Sequence, residues 1–394
     1  MSRTFVFAGG GTGGHIYPAL AIAHELLARE PGARVRFAVS RRPIDTQILS
    51  RETLLGQPVQ FETLPAQPFG VRPRALYRFI TNWGAAVRAG RVIIREGPAP
   101  VTVVAMGGFV AAPVVQAARV HKCPVVMVNL DAVPGKANRW AARHAGRVLT
   151  AAPLAPGHAQ PGWTQIPPIV RPQAMTRRPK PDCRAAFDLD PDTPTLLVTG
   201  GSQGAGTINS LLEHLAKQTP TPLAGWQVIH QAGKPRDASP AAASEIDRLR
   251  AAYAAAGVRA WVNEFITTMG EAWGAADLAI SRAGAGSVAE AWCSRVPCVF
   301  LPYPYHKDQH QKHNARVLVE AGGAIIATDH IDTKRNAADA GPRIAALLSD
   351  AAKLVHMRAA LERLGPADGA TRVAETLLAE RPLDASMSRT SLPS

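Results

Sequence analysis

Short, uniformly apolar and largely β-branched runs recur along the chain, separated by alanine-rich stretches whose apolar positions repeat with helical spacing. The first series predicts strands over 4–8, 35–39, 101–105, 125–128 and 148–150. The second predicts strands over 196–199, 227–230, 259–262, 278–280, 298–301 and 324–327. Between them the spacing predicts helices over 18–29, 137–144, 208–218, 287–293 and 311–320. Strands that are apolar throughout, without polar alternation, fit a parallel sheet covered on both faces. Two such strand–helix series predict two doubly wound α/β domains.

The boundary falls where proline becomes dense. Residues 153–194 are proline-rich, and helices rarely survive that density. The expected division is a first domain over 1–166, a linker over 167–181 and a second domain over 182–366. The polar tail 383–394 reads as disordered.

Composition narrows the function classes. At 394 residues and 46% hydrophobic content, two cored domains are affordable. The four cysteines (Cys123, Cys183, Cys293, Cys298) form no C-x-x-C pair, which fits a reduced compartment. No apolar run approaches the roughly 18–20 residues that span a bilayer, and residues 5–8 are too short for a signal-peptide core. A net charge of +14 points to anionic partners. The arginines are scattered and accompany no nucleic-acid motif, so an anionic membrane surface or a phosphorylated substrate is expected in preference to nucleic acid. Around Arg72, Arg74 and Arg78, with Arg88 and Arg91 beyond, a helix would align Leu76, Phe79, Ile80 and Trp83 on one face. That spacing suits either an interfacial helix or one packed on its own domain.

Three glycine-rich turns follow strands and open helices: residues 9–15, 106–109 and 200–205. Glycine admits close backbone approach, and a helix start offers unpaired N–H groups, so a cleft for diphosphates is expected. A nicotinamide fold would place an acid after the second strand; Ser40-Arg41-Arg42 stands there, with a 2′-phosphate as the only opening for that reading. No P-loop motif is present. His15 falls in the first helical turn, where the helix terminus favours a neutral ring able to act as base. Glu290 lies about one turn into a helix after the small-residue turn 281–287, placed to accept from a ribose diol. His306, His310 and His313 with Asp308 would allow a metal if they shared a helical face, and Asp308 with Gln311 fits a sugar-hydroxyl site at least as well. Asp188-Leu189-Asp190 reads as a turn, not a metal-holding pair.

The order of residues 10–23, the turn 106–109, the turn 200–205, the Glu290 turn and the Asp308–Ala315 segment resembles the MurG family, the peptidoglycan N-acetylglucosamine transferases of glycosyltransferase family 28. The resemblance spans nearly all of residues 4–380. It implies a GT-B fold, two Rossmann-like domains facing across a cleft, with a last helix (367–380) returning to the first domain. It implies an inverting transferase, needing no metal or cofactor, at the cytoplasmic face of the membrane as a peripheral protein. Its substrates would be UDP-GlcNAc and undecaprenyl-diphosphate-linked muramyl-pentapeptide.

Carried over, Ser202 and Arg171 would meet the donor phosphates, and Ile266 would read the uracil. Ala285, Gly286 and Ser287 would line the diphosphate, Glu290 the ribose and Gln311 the sugar. Thr12, Gly13, Gly14 and Asp131 would reach the donor from the first domain. Gly10, Gly11, Gly107 and Gly108 would face the acceptor. One departure stands out: Val128-Asn129-Leu130-Asp131 replaces the usual His-Glu-Gln-Asn, exchanging a glutamate for Asn129 and an asparagine for Asp131. Asparagine cannot act as base, which leaves His15 and Asp131 as candidates and opens the identity of sugar and acceptor. A different UDP-sugar or lipid, or an epimerase or hydrolase, is the alternative.

Overall fold

The computed structural model describes residues 3–11, 13–98, 100–200, 204–233 and 243–380. Thr12 and Ser202, both named above, and the tail 383–394 lie outside the described residues. Two parallel sheets carry the chain. The first contains β1 (Thr4–Gly9), β2 (Arg34–Ser40), β5 (Phe61–Leu64), β6 (Val101–Gly107), β7 (Val125–Asn129), β8 (Arg147–Thr150) and β9 (Trp163–Gln165), in the order β5-β2-β1-β6-β7-β8-β9. A two-stranded antiparallel hairpin, β3 (Thr53–Leu54) and β4 (Gln57–Pro58), stands apart from it. The second sheet runs β12-β11-β10-β13-β14-β15. Its strands are β10 (Thr195–Thr199), β11 (Gln227–Gln231), β12 (Ala260–Asn263), β13 (Leu278–Ser281), β14 (Cys298–Phe300) and β15 (Ala324–Ile326).

All eleven strands expected from the apolar runs are present, most within one residue at each end. The central strands β1, β6, β7, β10, β11 and β13 are buried along their whole length, which is why all but β11 read as largely apolar runs; β11 buries Gln227, His230 and Gln231 as well. The short pair β3–β4 and the edges of the first sheet were not visible in the pattern. β5 and β9 have a partner on one side only and carry exposed or half-buried residues, so nothing forces an apolar run there. The first helix begins at Gly13, five residues before the expected start. Pro18 removes one hydrogen bond near the N-terminus, which a helix tolerates far better than in its middle.

In both sheets the strand order reverses between two neighbours, β1 and β6 in the first and β10 and β13 in the second. A crevice opens at the carboxyl ends of the strands at such a point. Gly9, Gly10 and Gly11 stand at the end of β1 and Gly107 and Gly108 at the end of β6; Gly200 and Gly204 follow β10, and residues 282–284 follow β13. The helix Gly369–Ala379 inserts Val373, Ala374 and Leu377 into the first core, beside Ile16 and Ala19. Arg3 anchors its end through the carbonyls of Leu377 (2.7 Å), Leu378 (2.9 Å) and Glu380 (2.8 Å). Within the proline-rich stretch, Val170, Ala174 and Cys183 are buried in the core of the second sheet.

The arginine-rich segment forms a 24-residue helix, Pro73–Glu96. Its expected common face is split. Leu76 and Ile80 are exposed, with Tyr77 beside them, whereas Phe79 and Trp83 are half-buried. Those two rings join a ladder from Phe69 through Phe79 and Trp83 to Trp140, with centroids 5.4, 5.4 and 6.2 Å apart. No helix among the described residues is long and apolar enough to cross a membrane.

Candidate functional site

The first crevice is built by glycines that no other residue could replace. Gly107 and Gly108 have φ of +103° and +74°. A Cβ on Gly107 would lie 2.7 Å from Asn138 Oδ1, and one on Gly108 would lie 2.7 Å from the Gly10 carbonyl. Gly11, at φ +90°, gives its N–H to both oxygens of Asp45 (3.0 and 2.7 Å). Asp45 is fully buried and also accepts from Ser40 N (3.1 Å) and Ser40 Oγ (2.5 Å). The acid missing at the strand end is therefore present five residues later, where it folds back to brace the loop. His15 sits in the first turn of the helix Gly13–Arg29, its ring within 4 Å of the space beside Gly108. Its pKa is lowered, as the residue's position suggested, but the leading cause is burial; the carboxylates of Asp131 and Asp45 pull the other way.

The departing segment 128–131 divides into a buried and a cleft-facing part. Asn129 is fully buried: its amide donates to the Asp131 carbonyl (2.7 Å) and Thr150 Oγ1 (3.0 Å) and accepts from Asn138 Nδ2 (3.1 Å). It is a brace inside the first domain. Asp131 faces the second domain, where Asn314 Nδ2 donates to its Oδ1 at 2.9 Å. Asn314 Oδ1 accepts from Ala132 N (2.8 Å), so one buried amide joins the segment after β7 to the helix His310–Glu320.

On the second-domain side, Arg171 and Glu290 meet directly, with Arg171 Nε 3.0 Å from Glu290 Oε1. The other oxygen, Oε2, accepts from the indole N–H of the buried Trp273 at 2.9 Å. The Arg171 guanidinium lies over the Tyr17 ring at 4.7 Å, tying this cluster to the first domain. Ala285, Gly286 and Ser287 form the first turn of the helix Ala285–Ser294, just after Gly284, and Glu290 follows one turn on. Ile266 N donates to Gln231 Oε1 (3.1 Å), and Gln311 Oε1 accepts from Tyr303 N (2.8 Å), which orients the Gln311 side chain at the start of the helix His310–Glu320.

Beneath the turns lies a buried ion pair that sequence reasoning did not find. Arg282 Nη1 stands 2.7 Å from Asp329 Oδ2, and Arg282 Nη2 donates to Thr207 Oγ1 (2.8 Å). Thr207 Oγ1 donates in turn to Asp329 Oδ2 (2.6 Å). These three bonds tie the turn after β13 to the helix that follows Gly204. Asp329 has its pKa lowered: burial opposes ionisation, but the donors around it, led by Thr207, outweigh that. Trp273, Tyr17 and Asp45 carry no local signal for the same reason; each acquires its role only when folding sets a partner beside it.

The histidine run does not form a shared helical face, because His306 precedes the helix that begins at His310. The His306 and His310 rings stack at 4.3 Å, and His310 Nδ1 pairs with Asp308 Oδ1 at 2.8 Å. Among the described residues no three His, Cys, Asp or Glu side chains are grouped to hold a metal ion. Asp190 closes a turn, accepting from Asp192 N (2.9 Å), Thr193 N (2.9 Å) and Thr193 Oγ1 (2.9 Å).

The chain is similar to known proteins in sequence and in fold. Residues 5–150 match the glycosyltransferase family 28 N-terminal domain and residues 195–353 the glycosyltransferase family 28 C-terminal domain. The chain is 36% identical over 375 residues to a UDP-N-acetylglucosamine–N-acetylmuramyl-(pentapeptide) pyrophosphoryl-undecaprenol N-acetylglucosamine transferase from Nocardioides, covering 95% of this chain and 97% of that protein. A protein of the same name from Chlorobium limicola is 33% identical over 379 residues, covering 95% and 98%. The fold is that of the crystal structure of Acinetobacter baumannii MurG, with a TM-score of 0.71 at 24% identity over 96% of this chain and 99% of that one. A Listeria monocytogenes structure described as a UDP-N-acetylglucosamine 2-epimerase shares the fold with a TM-score of 0.63 at 11% identity, over 96% and 98%.

Proposed function

The chain belongs to glycosyltransferase family 28, and on that premise we propose how its cleft works. The protein transfers GlcNAc from UDP-GlcNAc to lipid-linked N-acetylmuramyl-pentapeptide, converting lipid I to lipid II. The observation that carries this reading onto the site is the Glu290 carboxylate, held by Arg171 and Trp273 one turn into a helix that opens at a strand-order reversal. A carboxylate there accepts from the ribose hydroxyls of the donor. Arg171 and the N–H groups of Ala285, Gly286 and Ser287 take the charge of the diphosphate.

The reaction is a displacement at C1 of the sugar. The acceptor's C4 hydroxyl oxygen forms the new bond, the bond from C1 to the phosphate oxygen breaks, and UDP departs with that electron pair. The hydroxyl proton passes to a base. His15 fits that role better than Asp131. Burial keeps its imidazole neutral and able to accept, and the Asp131 carboxylate steadies the imidazolium formed. Asp131 Oδ1 is already engaged by Asn314. Asn129 takes no part in proton transfer; it braces the loop that carries Asp131. Ser202 and Thr12 keep the donor contacts that the family likeness gives them.

The lipid acceptor brings the protein to the cytoplasmic face of the membrane as a peripheral protein. Leu76, Tyr77 and Ile80 enter the interface, Phe79 and Trp83 stiffen the helix behind them, and the nearby arginines meet anionic headgroups. A transfer assay with UDP-GlcNAc and a soluble lipid I analogue tests the reaction. Formation of the disaccharide product supports it. UDP release without acceptor, or better use of UDP-glucose, overturns it.

A further inference from the structure

One cation in the first-domain crevice has no role in the reading above. Arg42 follows β2 in the segment Ser40-Arg41-Arg42, which as sequence suggested only a nucleotide 2′-phosphate. Folding gives the segment a different setting. Ser40 turns its hydroxyl and N–H to Asp45, and the same buried carboxylate takes the Gly11 N–H. The loop has therefore spent one of the amides that would greet an anion, and a negative charge sits directly behind it. Alone, that arrangement repels a diphosphate.

Arg42 reverses the sign at the front of the loop. Its Nη1 donates to the Gly11 carbonyl at 2.9 Å, and its guanidinium lies 5.0 Å from the centroid of the Phe109 ring. Phe109 directly follows Gly107 and Gly108, so the one side chain spans both glycine turns at the strand-order reversal. The carbonyl and the ring fix the guanidinium in place while the residue stays exposed. Among the described residues no carboxylate pairs with it, in contrast to Arg171 and Arg282. A guanidinium has five N–H donors in a planar fork, and one suffices for Gly11, so a bidentate edge remains for phosphate oxygens. We propose that Arg42 binds the diphosphate of the lipid acceptor and sets this chain's affinity for it. The proposal rests on the transfer reading above.

The test uses the full chain, UDP-GlcNAc and soluble muramyl acceptors carrying either a diphosphate or a single phosphate. Arg42→Ala is expected to raise the KM of the diphosphate acceptor by about tenfold or more, as for a lost charge-assisted bond. The KM of UDP-GlcNAc and kcat at saturating acceptor stay within about twofold. The wild type loses affinity when one phosphate is removed from the acceptor; the variant loses little further, and Arg42→Lys recovers part of the difference. An unchanged acceptor KM, or an equal rise for both acceptors, overturns the proposal. Calorimetric titration with a short-chain prenyl diphosphate reads the same contact without turnover. Equal binding by wild type and Arg42→Ala also overturns it. Absence of transfer by the wild type defeats the transfer reading separately, and the titration still decides Arg42.

Discussion

Replacing Glu290 by glutamine probes the donor side most directly, because it keeps the shape of the side chain and removes its charge. In the folded chain one carboxylate oxygen accepts from Arg171 Nε at 3.0 Å and the other from Trp273 Nε1 at 2.9 Å. Glutamine has one acceptor oxygen, so one of those donors then faces an NH2 group. A bond to a charged group contributes about 1.5–3 kcal/mol, and the pair is little screened, at 17% and 12% side-chain exposure. The same single oxygen cannot accept from both ribose hydroxyls. The loss on the donor side is one charged hydrogen bond, or about 10- to 100-fold in kcat/KM for UDP-GlcNAc. Initial rates over a UDP-GlcNAc series at saturating lipid acceptor give the value, with a thermal melt to confirm folding. A donor with 2′-deoxyribose supplies the control: the parent loses about tenfold on it, and Glu290→Gln loses little more than it has already lost. Trp273→Phe removes the indole N–H together with part of a buried ring, so it lowers the melting temperature as well, and it gives a smaller rise in the KM of the folded protein, about fivefold, with kcat preserved. If a folded Glu290→Gln protein still discriminates the deoxy donor as sharply as the parent, the carboxylate does not touch the ribose and the donor-side argument fails.

Three further outcomes follow from the geometry. His230 is fully buried between Tyr253 Oη (2.9 Å) and Asn209 Oδ1 (3.0 Å), and burial pushes its pKa down to about 3 from 6.5. Between those values the unfolded chain holds a proton that the native chain does not. Stability should therefore fall by about 1.4 kcal/mol per unit as pH drops below 6.5 and be unaffected above it; urea melts at pH 5 and 7 read the slope, and His230→Gln should flatten it. Asp329→Ala strands Arg282 in the core and should destabilise the protein by about 3–5 kcal/mol, whereas Arg282→Met with Asp329→Leu should recover most of that loss in denaturant melts. Asp131→Asn removes a carboxylate that raises the pKa of His15, so the acid limb of kcat/KM should move to lower pH, and His15→Ala should abolish that limb; full turnover by both variants would refute His15 as base.

Much of this protein was fixed along the chain itself. The apolar runs belong to strands buried on both faces, so burial wrote the sheets into the composition of β1, β6, β7, β10 and β13. The glycines at 107 and 108 were legible because only glycine tolerates their backbone angles and the atoms crowding their α-carbons. Glu290 was legible because a helix start after a small-residue turn is a local pattern.

Partnership was decided by tertiary structure alone. Asn129 and Asp131 are two residues apart, yet one is sealed against Thr150 and Asn138 while the other meets Asn314, 183 positions away. Asp45 and Arg42 are local to β2 in sequence, and only the parallel pairing of β1 with β2 brings them to the glycine loop that follows β1. Arg171 finds Glu290 across 119 residues, and Arg282 finds Asp329 through the loops of separate strands. Periodicity and glycine report constraints that act within a few residues, so the sequence states them openly. The sign of the charge at each turn, and the partner that holds each side chain, depend on which strand ends the sheet order sets side by side.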